Sequence, residues 1–501
     1  MPLTIATARP YAQLGIFKAI FYLLKPQKLT LEALADSLND HAFILGLSGS
    51  GKSRFMSAWT RAAIDAKHSV FLIDTASDTY LQTLYYCITK NIDPANVIIL
   101  DATQPYPVPD FHVFDVPPHL HPASVVDGLI AAHRGFLGSS FGERQADILR
   151  MLFWALLKAN VALFPYSTSF LTYDKTREAI LARANDPMIT RFWEHMTKLR
   201  SFGEIIESSR NKLNAIATNT LCAQYFDSKH STVNFYDAFN TGKIILLNLS
   251  ENHYKDRSSR ALLGSLFLFL AHQALLQRET DPYKHPVTIV LDEAHQYYVS
   301  DFVLPYFTGV RKHAAGIKLF SQSTNNFPIQ DVDIFMSTVG HLISFAVGYK
   351  DATRIAHDLV MPTLDGMVKD VQTDLYGPYG DIQYWNISEQ VNHITSELMR
   401  QNQRELIWRI RKAQDITISF AKTAHVEKLT VTPDQEADYR KASATHHTKP
   451  VPAPATPTPD PAIPDATTPT PTPSAKPKRN ASTRRTKPDQ GDDDEVIITV
   501  R

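Results

Sequence analysis

Eight consecutive residues early in the chain have the types and the spacing of a loop that binds phosphate groups. They read Gly46-Leu47-Ser48-Gly49-Ser50-Gly51-Lys52-Ser53 and match the pattern G-x-x-x-x-G-K-[ST], known as Walker A. Glycines let backbone N–H groups turn toward phosphate oxygens, and a helix that begins here adds a positive partial charge. The pattern therefore predicts a nucleotide site with backbone contacts from Gly46, Ser48, Gly49, Ser50 and Gly51.

Two side chains at the end of this loop predict the remaining phosphate chemistry. Lys52 can reach the β- and γ-phosphates of ATP, and the Ser53 hydroxyl can ligate Mg²⁺. An apolar run at residues 42–45 precedes the loop, and residues 54–59 resemble the start of a helix. Strand, glycine loop and helix form the context that the pattern requires, so we expect ATP and Mg²⁺ to bind here.

A second, largely apolar run ends in two acids and predicts the other half of an ATP site. Residues 287–291 lead into Asp292 and Glu293, as in a Walker B strand. Asp292 would hold Mg²⁺, through water or beside Ser53. Glu293 would polarise the attacking water. An acidic pair that only ends a strand is the alternative, and the upstream phosphate loop favours the catalytic interpretation.

The next predicted strand ends at Gln322, where an amide can sense the γ-phosphate or orient water. Arg311 precedes this strand and is a candidate arginine finger that would act in a neighbouring subunit's site. A surface ion pair is the alternative role for Arg311. Arg354 is the second candidate finger.

The composition limits the class of protein. The chain has 501 residues, 44% of them hydrophobic, and a formal net charge of +0. Bulk charge therefore does not favour nucleic acid as a partner. The cysteines, Cys87 and Cys222, lie far apart, which excludes a disulfide framework and suits a reducing cytoplasm.

Apolar runs alternate with helical segments and predict a doubly wound α/β sheet. Residues 70–74 and 97–101 each end in Asp, as is typical of buried parallel strands. Residues 119–232 show helical spacing instead and predict an inserted helical domain. The most apolar stretch, residues 261–276, is short for a membrane span and contains polar side chains, which favours a buried core helix.

The end of the chain differs in composition, since residues 449–487 are dense in proline, threonine and alanine and contain a basic patch. Such a segment cannot bury enough apolar surface to fold, which predicts disorder. The predicted division is a helical extension at 1–40, an ATPase domain at 41–118 and 233–425, the helical insert at 119–232, a linker at 426–448 and a disordered tail at 449–501.

In order and spacing these motifs resemble the HerA/FtsK superfamily of ring-forming translocases. Over residues 40–425 the chain looks most like type IV secretion coupling proteins of the TraG/TraD kind and their HerA-like relatives. The resemblance implies a RecA-like P-loop core, hexamers that hydrolyse ATP between subunits, and DNA pulled through a central channel. It assigns nucleotide and Mg²⁺ binding to Lys52 and Ser53, Mg²⁺ and water activation to Asp292 and Glu293, and γ-phosphate sensing to Gln322. Arg311 would be the trans-acting finger.

The chain also departs from that family, because none of the roughly forty residues before the loop reads as a membrane span. We therefore expect a cytoplasmic protein, or one recruited by another protein to the inner face of the membrane. The expected partners are DNA, further copies of the chain in a ring, and secretion or relaxase proteins that bind the tail.

Three other functions are considered. Asp292-Glu293-Ala294-His295 matches a helicase DEAH box, but the other elements of such helicases are not found. A type IV secretion ATPase that moves protein would share every catalytic residue, so the sequence leaves it open. A scaffold that binds but does not hydrolyse nucleotide would not need both halves of the site.

Overall fold

Short apolar strands alternate with helices from residue 42 onward, and this alternation builds one large sheet that is covered on both faces. The structure is a computed structural model. It describes residues 4–10, 27–30, 38–116, 120–137, 142–217, 220–252, 254, 256–278, 284–309, 313–360, 368–372, 381–384, 386–412, 415–423 and 425–448.

The strands of the described residues form an 11-stranded sheet and a separate two-stranded sheet. They are β1 Thr4–Pro10, β2 Gln27–Thr30, β3 Ala42–Leu45, β4 Ser69–Asp74, β5 Val97–Leu100, β6 Ile244–Asn248, β7 Val287–Leu291, β8 Ala315–Ser321, β9 His341–Ser344, β10 Val368–Gln372, β11 Asp381–Tyr384, β12 Glu405–Lys412 and β13 Asp415–Thr423. The large sheet has the order β2-β1-β13-β12-β9-β3-β8-β7-β4-β6-β5, and β10 pairs with β11.

The helices begin at polar caps in several places, because a cap side chain satisfies N–H groups of the first turn. Asp186 and Asp256 cap α7 and α11, and Asn386 and Thr432 form capping boxes at α15 and α16. In chain order the helices are α1 Lys52–Asp65, α2 Asp78–Thr89, α3 Pro122–Leu137, α4 Glu143–Ala159, α5 Leu163–Thr172, α6 Asp174–Ala184, α7 Pro187–Lys198, α8 Phe202–Ala217, α9 Thr220–Phe226, α10 Phe235–Asn240, α11 Arg257–Gln277, α12 Ser300–Gly309, α13 Ile329–Thr338, α14 Tyr349–Val360, α15 Ile387–Arg400 and α16 Pro433–His447.

The centre of the sheet is parallel, which confirms the predicted α/β class. Strand β3 lies between β8 and β9, with Ile44 opposite Phe320 on one side and Ile343 on the other. Every residue of β3 and of β4 is buried, as expected for strands with helices on both faces. Successive residues of β3 point to opposite faces, so Phe43 packs in the core that holds α11 while Ile44 packs in the core that holds α1.

This topology brings the predicted site elements to one edge. Strands β3, β8 and β7 are parallel neighbours, so their carboxyl ends lie side by side. The phosphate loop follows β3, Gln322 follows β8, and the two acids follow β7. In open parallel sheets ligands bind beyond the carboxyl ends of the strands.

An antiparallel extension completes the sheet beyond β9, where β12, β13, β1 and β2 each pair antiparallel with the preceding strand. The prediction of a helical extension at residues 1–40 is wrong for Thr4–Pro10 and Gln27–Thr30, which are strands. The reason is a long-range pairing, because β1 covers the outer edge of β13, an edge that would otherwise be unpaired. Residues 11–26 and 31–37 lie outside the described part of the chain.

Between β5 and β6 the described residues form only helices, α3 to α10, as the sequence predicts for an inserted helical domain. Aromatic side chains pack its interior. Phe170 and Trp193 meet edge to face with 4.9 Å between ring centroids, and Trp193 is fully buried. These contacts give the insert an apolar core that is continuous with the sheet core.

Helix α11 follows β6 and packs on the sheet and on α3. By length and composition this helix could cross a membrane, but 78% of its most apolar window is buried inside the protein. Its side chains Leu263, Leu266 and Phe267 belong to the main core. The prediction of a core helix therefore agrees with the structure.

The segment predicted as a linker, residues 426–448, instead contains helix α16, which packs against β5 and α2. Tyr439, Arg440 and Ser443 are buried there, and the Ser443 hydroxyl donates to the Val97 carbonyl at 2.6 Å. The prediction failed because the outer face of α16 is polar, so the few side chains that pack against the sheet domain form no clear apolar pattern in the sequence. The predicted tail, 449–501, lies outside the described residues.

Candidate functional site

The phosphate loop adopts the conformation that its glycines allow. Gly49 and Gly51 have φ of 77° and 115°, in the left-handed region that favours glycine. Gly46 is needed for space, because a Cβ there would lie 2.7 Å from Phe345 Cβ and 2.8 Å from Ser50 Oγ. Helix α1 begins at Lys52, directly after the loop, so the N-terminal N–H groups of the helix face the predicted phosphate position.

Lys52 connects the loop to the second acid of the Walker B pair. Its side chain is buried, and Nζ donates to the Gly46 carbonyl at 2.5 Å. Nζ also lies 3.8 Å from Oε1 of Glu293. Burial lowers the pKa of Lys52, while the carboxylates of Glu293 and Asp292 act in the opposite direction. The lysine charge is thus held by groups with which phosphate oxygens would compete.

Glu293 stands in an unusual backbone conformation between Lys52 and Gln322. Its φ is 40°, a left-handed value that costs a non-glycine residue about 1–3 kcal/mol and that is enriched at functional sites. Burial raises the pKa of Glu293, whereas Lys52 and hydrogen bonds from Gln322 lower it. The structure therefore brings together three of the residues predicted for catalysis or nucleotide binding. His295 Nδ1 lies 3.5 Å from the other carboxylate oxygen of Glu293.

Asp292 belongs to a buried polar cluster that the sequence reasoning missed in part. The Thr75 hydroxyl donates to Asp292 Oδ2 at 3.0 Å, and Asp74 shares a hydrogen bond with the Asp292 carboxylate. Burial and then the charge of Asp292 raise the pKa of Asp74 to about 8. Burial and then Glu293 also raise the pKa of Asp292. The sequence could have indicated the role of Asp74, because a second apolar run that forms a buried strand also ends in an acid at this residue.

Neighbouring strand ends explain why Asp74 and Asp292 meet. Strands β4 and β7 are parallel partners with Ile73 opposite Leu291, so the residue that follows each pair reaches the same edge. Asp74 also accepts hydrogen bonds from the backbone N–H groups of Ala76 at 2.8 Å and Tyr80 at 2.7 Å. These bonds fix the connection between β4 and α2 beside the Walker B acids.

The residues present fit a nucleoside triphosphate with Mg²⁺. Ser53 is exposed at the first turn of α1, and its carbonyl accepts a hydrogen bond from the Thr79 hydroxyl at 3.5 Å. A nearby cation stabilises the ionised form of buried acids such as Asp74 and Asp292. No group of three or more His, Cys, Asp or Glu side chains placed for a metal occurs among the described residues. A site of one or two carboxylates completed by phosphate oxygens is typical of Mg²⁺.

Of the two residues predicted as candidate arginine fingers, the structure describes only Arg354. Arg311 lies outside the described residues, so its role stays a prediction. Arg354 forms an ion pair with Asp333, with Nη2 2.5 Å from Oδ1, and donates to the Ile329 carbonyl. Within one copy of the chain, Arg354 is thus engaged in an ion pair.

Three solved structures of a coupling protein have a fold similar to that of this chain. The chain is similar to the bacterial conjugative coupling protein TrwBdeltaN70 in an unbound monoclinic form, with a TM-score of 0.58, 12% identity and coverage of 81% of this chain and 87% of that chain. The plasmid coupling protein TrwB in complex with ADP and Mg²⁺ gives a TM-score of 0.56 and 12% identity, and the match covers 79% of this chain and 88% of that chain. The same protein in complex with the non-hydrolysable ATP analogue ADPNP gives a TM-score of 0.57 and 12% identity, and the match covers 79% of this chain and 88% of that chain.

No protein-family model and no curated protein sequence matches the chain. At 12% identity the similarity to TrwB is one of fold. It covers about four fifths of this chain. The chain therefore has the fold of a conjugative coupling protein, as the resemblance of its motifs predicts.

Proposed function

We propose that the chain is an oligomeric motor that hydrolyses ATP to translocate DNA during conjugative or mobile-element transfer. The observation that carries this proposal is the position of Glu293 between Lys52 and Gln322 at the carboxyl edge of the sheet. A site that only binds nucleotide does not need a partly buried carboxylate held against its P-loop lysine. This arrangement favours hydrolysis over the scaffold alternative.

The phosphate-binding groups follow from the geometry of the loop. Backbone N–H groups of residues 46–51 and the start of α1 would hold the phosphates, with Lys52 at the β- and γ-phosphates. Ser53 and Asp292 would hold Mg²⁺, which when bound neutralises charge on the phosphates. Thr75 orients Asp292 through its hydrogen bond. Each of these groups is positioned by a strand end or by the first turn of a helix.

Glu293 would act on the attacking water. Its carboxylate keeps one oxygen near Lys52, while Gln322, at the end of the neighbouring strand, lies near enough to lower the pKa of Glu293. Gln322 would respond to the γ-phosphate and thereby change its interaction with Glu293. A carboxylate with a raised pKa is a better proton acceptor near neutral pH. This arrangement supports the proposed roles of Glu293 as general base and of Gln322 as γ-phosphate sensor.

The assembly and the substrate are proposed from the fold. TrwB is described as a conjugative coupling protein, and this chain has its fold at 12% identity. We therefore propose that several copies, in a ring expected to be hexameric, act on DNA. Arg311 is proposed as the finger that completes a neighbour's site. A cytoplasmic motor, recruited to the membrane by secretion or relaxase proteins through the tail, is the corresponding cellular arrangement.

The test is steady-state ATP hydrolysis by the purified full chain, with duplex DNA, with single-stranded DNA and without DNA. We expect strong stimulation by DNA that is abolished in Lys52→Ala and Glu293→Gln. Turnover that is indifferent to both forms of DNA would contradict a DNA motor and favour a secretion ATPase that acts on protein. Binding of ATP without turnover under every condition would favour the scaffold.

A further inference from the structure

A turn that precedes β12 lies directly against the phosphate loop. Because β12 pairs antiparallel with β9, and β9 runs parallel to β3, the start of β12 lies at the edge where β3 ends. Arg404 is the last residue of this turn, since β12 begins at Glu405. The backbone of Arg404 thus reaches the nucleotide site from a part of the sequence more than 350 residues away from the loop.

Two backbone hydrogen bonds fix Arg404 in this position. Its N–H donates to the Ser50 carbonyl at 2.8 Å, and its own carbonyl accepts from the Thr423 N–H at 2.8 Å. A Cβ on Gly51 would lie 3.3 Å from Arg404 Cα and 3.5 Å from Arg404 Cγ. Gly51 therefore permits the close approach of Arg404 as well as its own φ of 115°. The arginine side chain begins alongside the phosphate loop.

The backbone of Arg404 has a conformation that its side chain disfavours. Its φ is 73°, within the left-handed region where glycine or asparagine is the usual residue. A long cationic side chain at such a position is strained, and strain of this kind clusters where a ligand is bound. A turn that only had to support the loop would be served better by glycine.

The Arg404 guanidinium also lacks a partner within the described part of the chain. No hydrogen bond, ion pair or ring contact joins its side chain to a described residue, and the side chain is half-buried. The other cations at the loop are engaged, since Lys52 donates to the Gly46 carbonyl and Arg54 donates to the Val426 carbonyl. Arg404 is accordingly a cation held beside a phosphate-binding loop, with no ion-pair partner among the described residues.

We propose that Arg404 binds the α-phosphate of the nucleotide held by the same chain. The order β12-β9-β3-β8-β7 places Arg404 on one side of the loop and the Walker B acids on the other. Lys52, Glu293 and Gln322 serve the γ-phosphate end, so the guanidinium serves the opposite end of the phosphate chain. A guanidinium presents two parallel donors that match phosphate oxygens. This inference rests on the nucleotide site of the proposed function.

The test compares binding of ADP and of the ATP analogue ADPNP, both with Mg²⁺, to the full chain and to Arg404→Gly by titration calorimetry. Glycine is favoured at φ 73°, so this variant removes the guanidinium and keeps the turn. We expect about a tenfold loss of affinity for both nucleotides, as for a lost hydrogen bond to a charged group. The melting temperature without nucleotide should equal or exceed that of the wild type. Arg404→Lys keeps the positive charge but lacks the two parallel N–H donors of the guanidinium, and it should bind both nucleotides with intermediate affinity.

Lys67→Gly is the matched control, because Lys67 is an exposed cation with φ 64° at the far end of α1. Its affinities should equal those of the wild type.

If Arg404→Gly binds both nucleotides like the wild type, the inference is wrong while the proposed function stands. Weaker binding of ADPNP alone would overturn the assignment to the α-phosphate. If the wild type binds neither nucleotide, the proposed function itself fails. If Arg404→Gly melts at a lower temperature than the wild type, the affinity of Arg404→Lys is used instead. Wild-type affinity of Arg404→Lys for both nucleotides would then contradict the proposed contact between the guanidinium and the phosphate.

Discussion

Lys52 and Glu293 face each other across the phosphate loop, with 3.8 Å between Nζ and Oε1. Both side chains are largely withdrawn from water, and burial disfavours the charged form of each. Phosphate oxygens that bind Lys52 would compete with this contact. Nucleotide binding would thereby be linked to the position of the Glu293 carboxylate through one pair of residues.

Lys52→Ala should weaken binding of ATP by tenfold or more, because it removes a charge-assisted contact to phosphate and leaves the Glu293 carboxylate unpaired. Titration calorimetry with ADPNP measures the affinity. Lys67→Gly is the control, since Lys67 is an exposed cation with φ 64° beyond the far end of α1. Equal affinities of the wild type and Lys52→Ala would exclude the loop as the nucleotide site.

Glu293→Gln should retain nucleotide binding and lose turnover by about 100-fold or more, as expected when a general base is removed. Glutamine fills the same space and still contacts Gln322, so the fold should tolerate the change. Single-turnover hydrolysis of prebound ATP separates chemistry from binding. A variant that hydrolyses ATP at the wild-type rate would show that Glu293 is not the base.

Thr75→Val should raise the Mg²⁺ concentration needed for half-maximal ATPase activity by about tenfold. Valine has nearly the shape of threonine but cannot donate to Asp292, and loss of such supporting bonds typically weakens metal binding 10–100-fold. Thr75→Ser keeps the hydroxyl and should restore the wild-type value. If serine and valine behave alike, the hydroxyl does not orient the carboxylate.

Arg440→Met should destabilise the attachment of helix α16. The Arg440 guanidinium lies 3.5 Å from the Asp101 carboxylate, and both side chains are buried. Removing one partner of a buried pair costs about 3–5 kcal/mol, because Asp101 loses its counter-ion and keeps only hydrogen bonds from Thr103 and Asn248. Urea denaturation measures the loss. The double variant with Asp101→Asn should recover most of it, and a loss in the double variant as large as in the single one would argue against the pairing.

Acid should destabilise the inserted helices through His133, which is fully buried on α3 against Phe153. Burial lowers the pKa of His133 to about 4, below the unfolded value of 6.5, so the unfolded chain binds more protons between these values. Stability therefore falls as the pH drops from about 7 toward 4, by about 2 kcal/mol at pH 5 from this group.

The measurement for His133 is the difference in melting temperature between pH 7 and pH 5. His133→Leu should show a smaller difference than the wild type. His195→Gln, with an exposed ring, should show the wild-type difference. An unchanged difference in His133→Leu would mean that this buried histidine does not titrate with unfolding.

Local patterns were sufficient for the centre of the sheet and for the main site residues. Runs such as residues 70–74 and 287–291 are uniformly apolar, and the ends of parallel strands must meet at one edge. The sequence thus predicted that Lys52, Glu293 and Gln322 would lie near one another. These predictions needed only short-range periodicity and the known geometry of parallel strands.

The remainder depends on contacts between distant segments. The pairing of β12 with β9 brings Arg404 to the phosphate loop, and nothing near Arg404 in the sequence indicates that neighbour. Asp74 meets Asp292 only because β4 lies beside β7, an order that alternation alone does not specify. The strands near the N-terminus and helix α16 were missed for the same reason.

The most direct test of the central claim is ATP-driven displacement of a third strand from a DNA duplex by the purified full chain. Translocation along the duplex removes such a strand without any need to unwind the duplex. We predict displacement that requires ATP and Mg²⁺ and is absent in Glu293→Gln. Hydrolysis of ATP at a normal rate without displacement of the third strand, on duplexes with blunt or single-stranded ends, would contradict a DNA translocase.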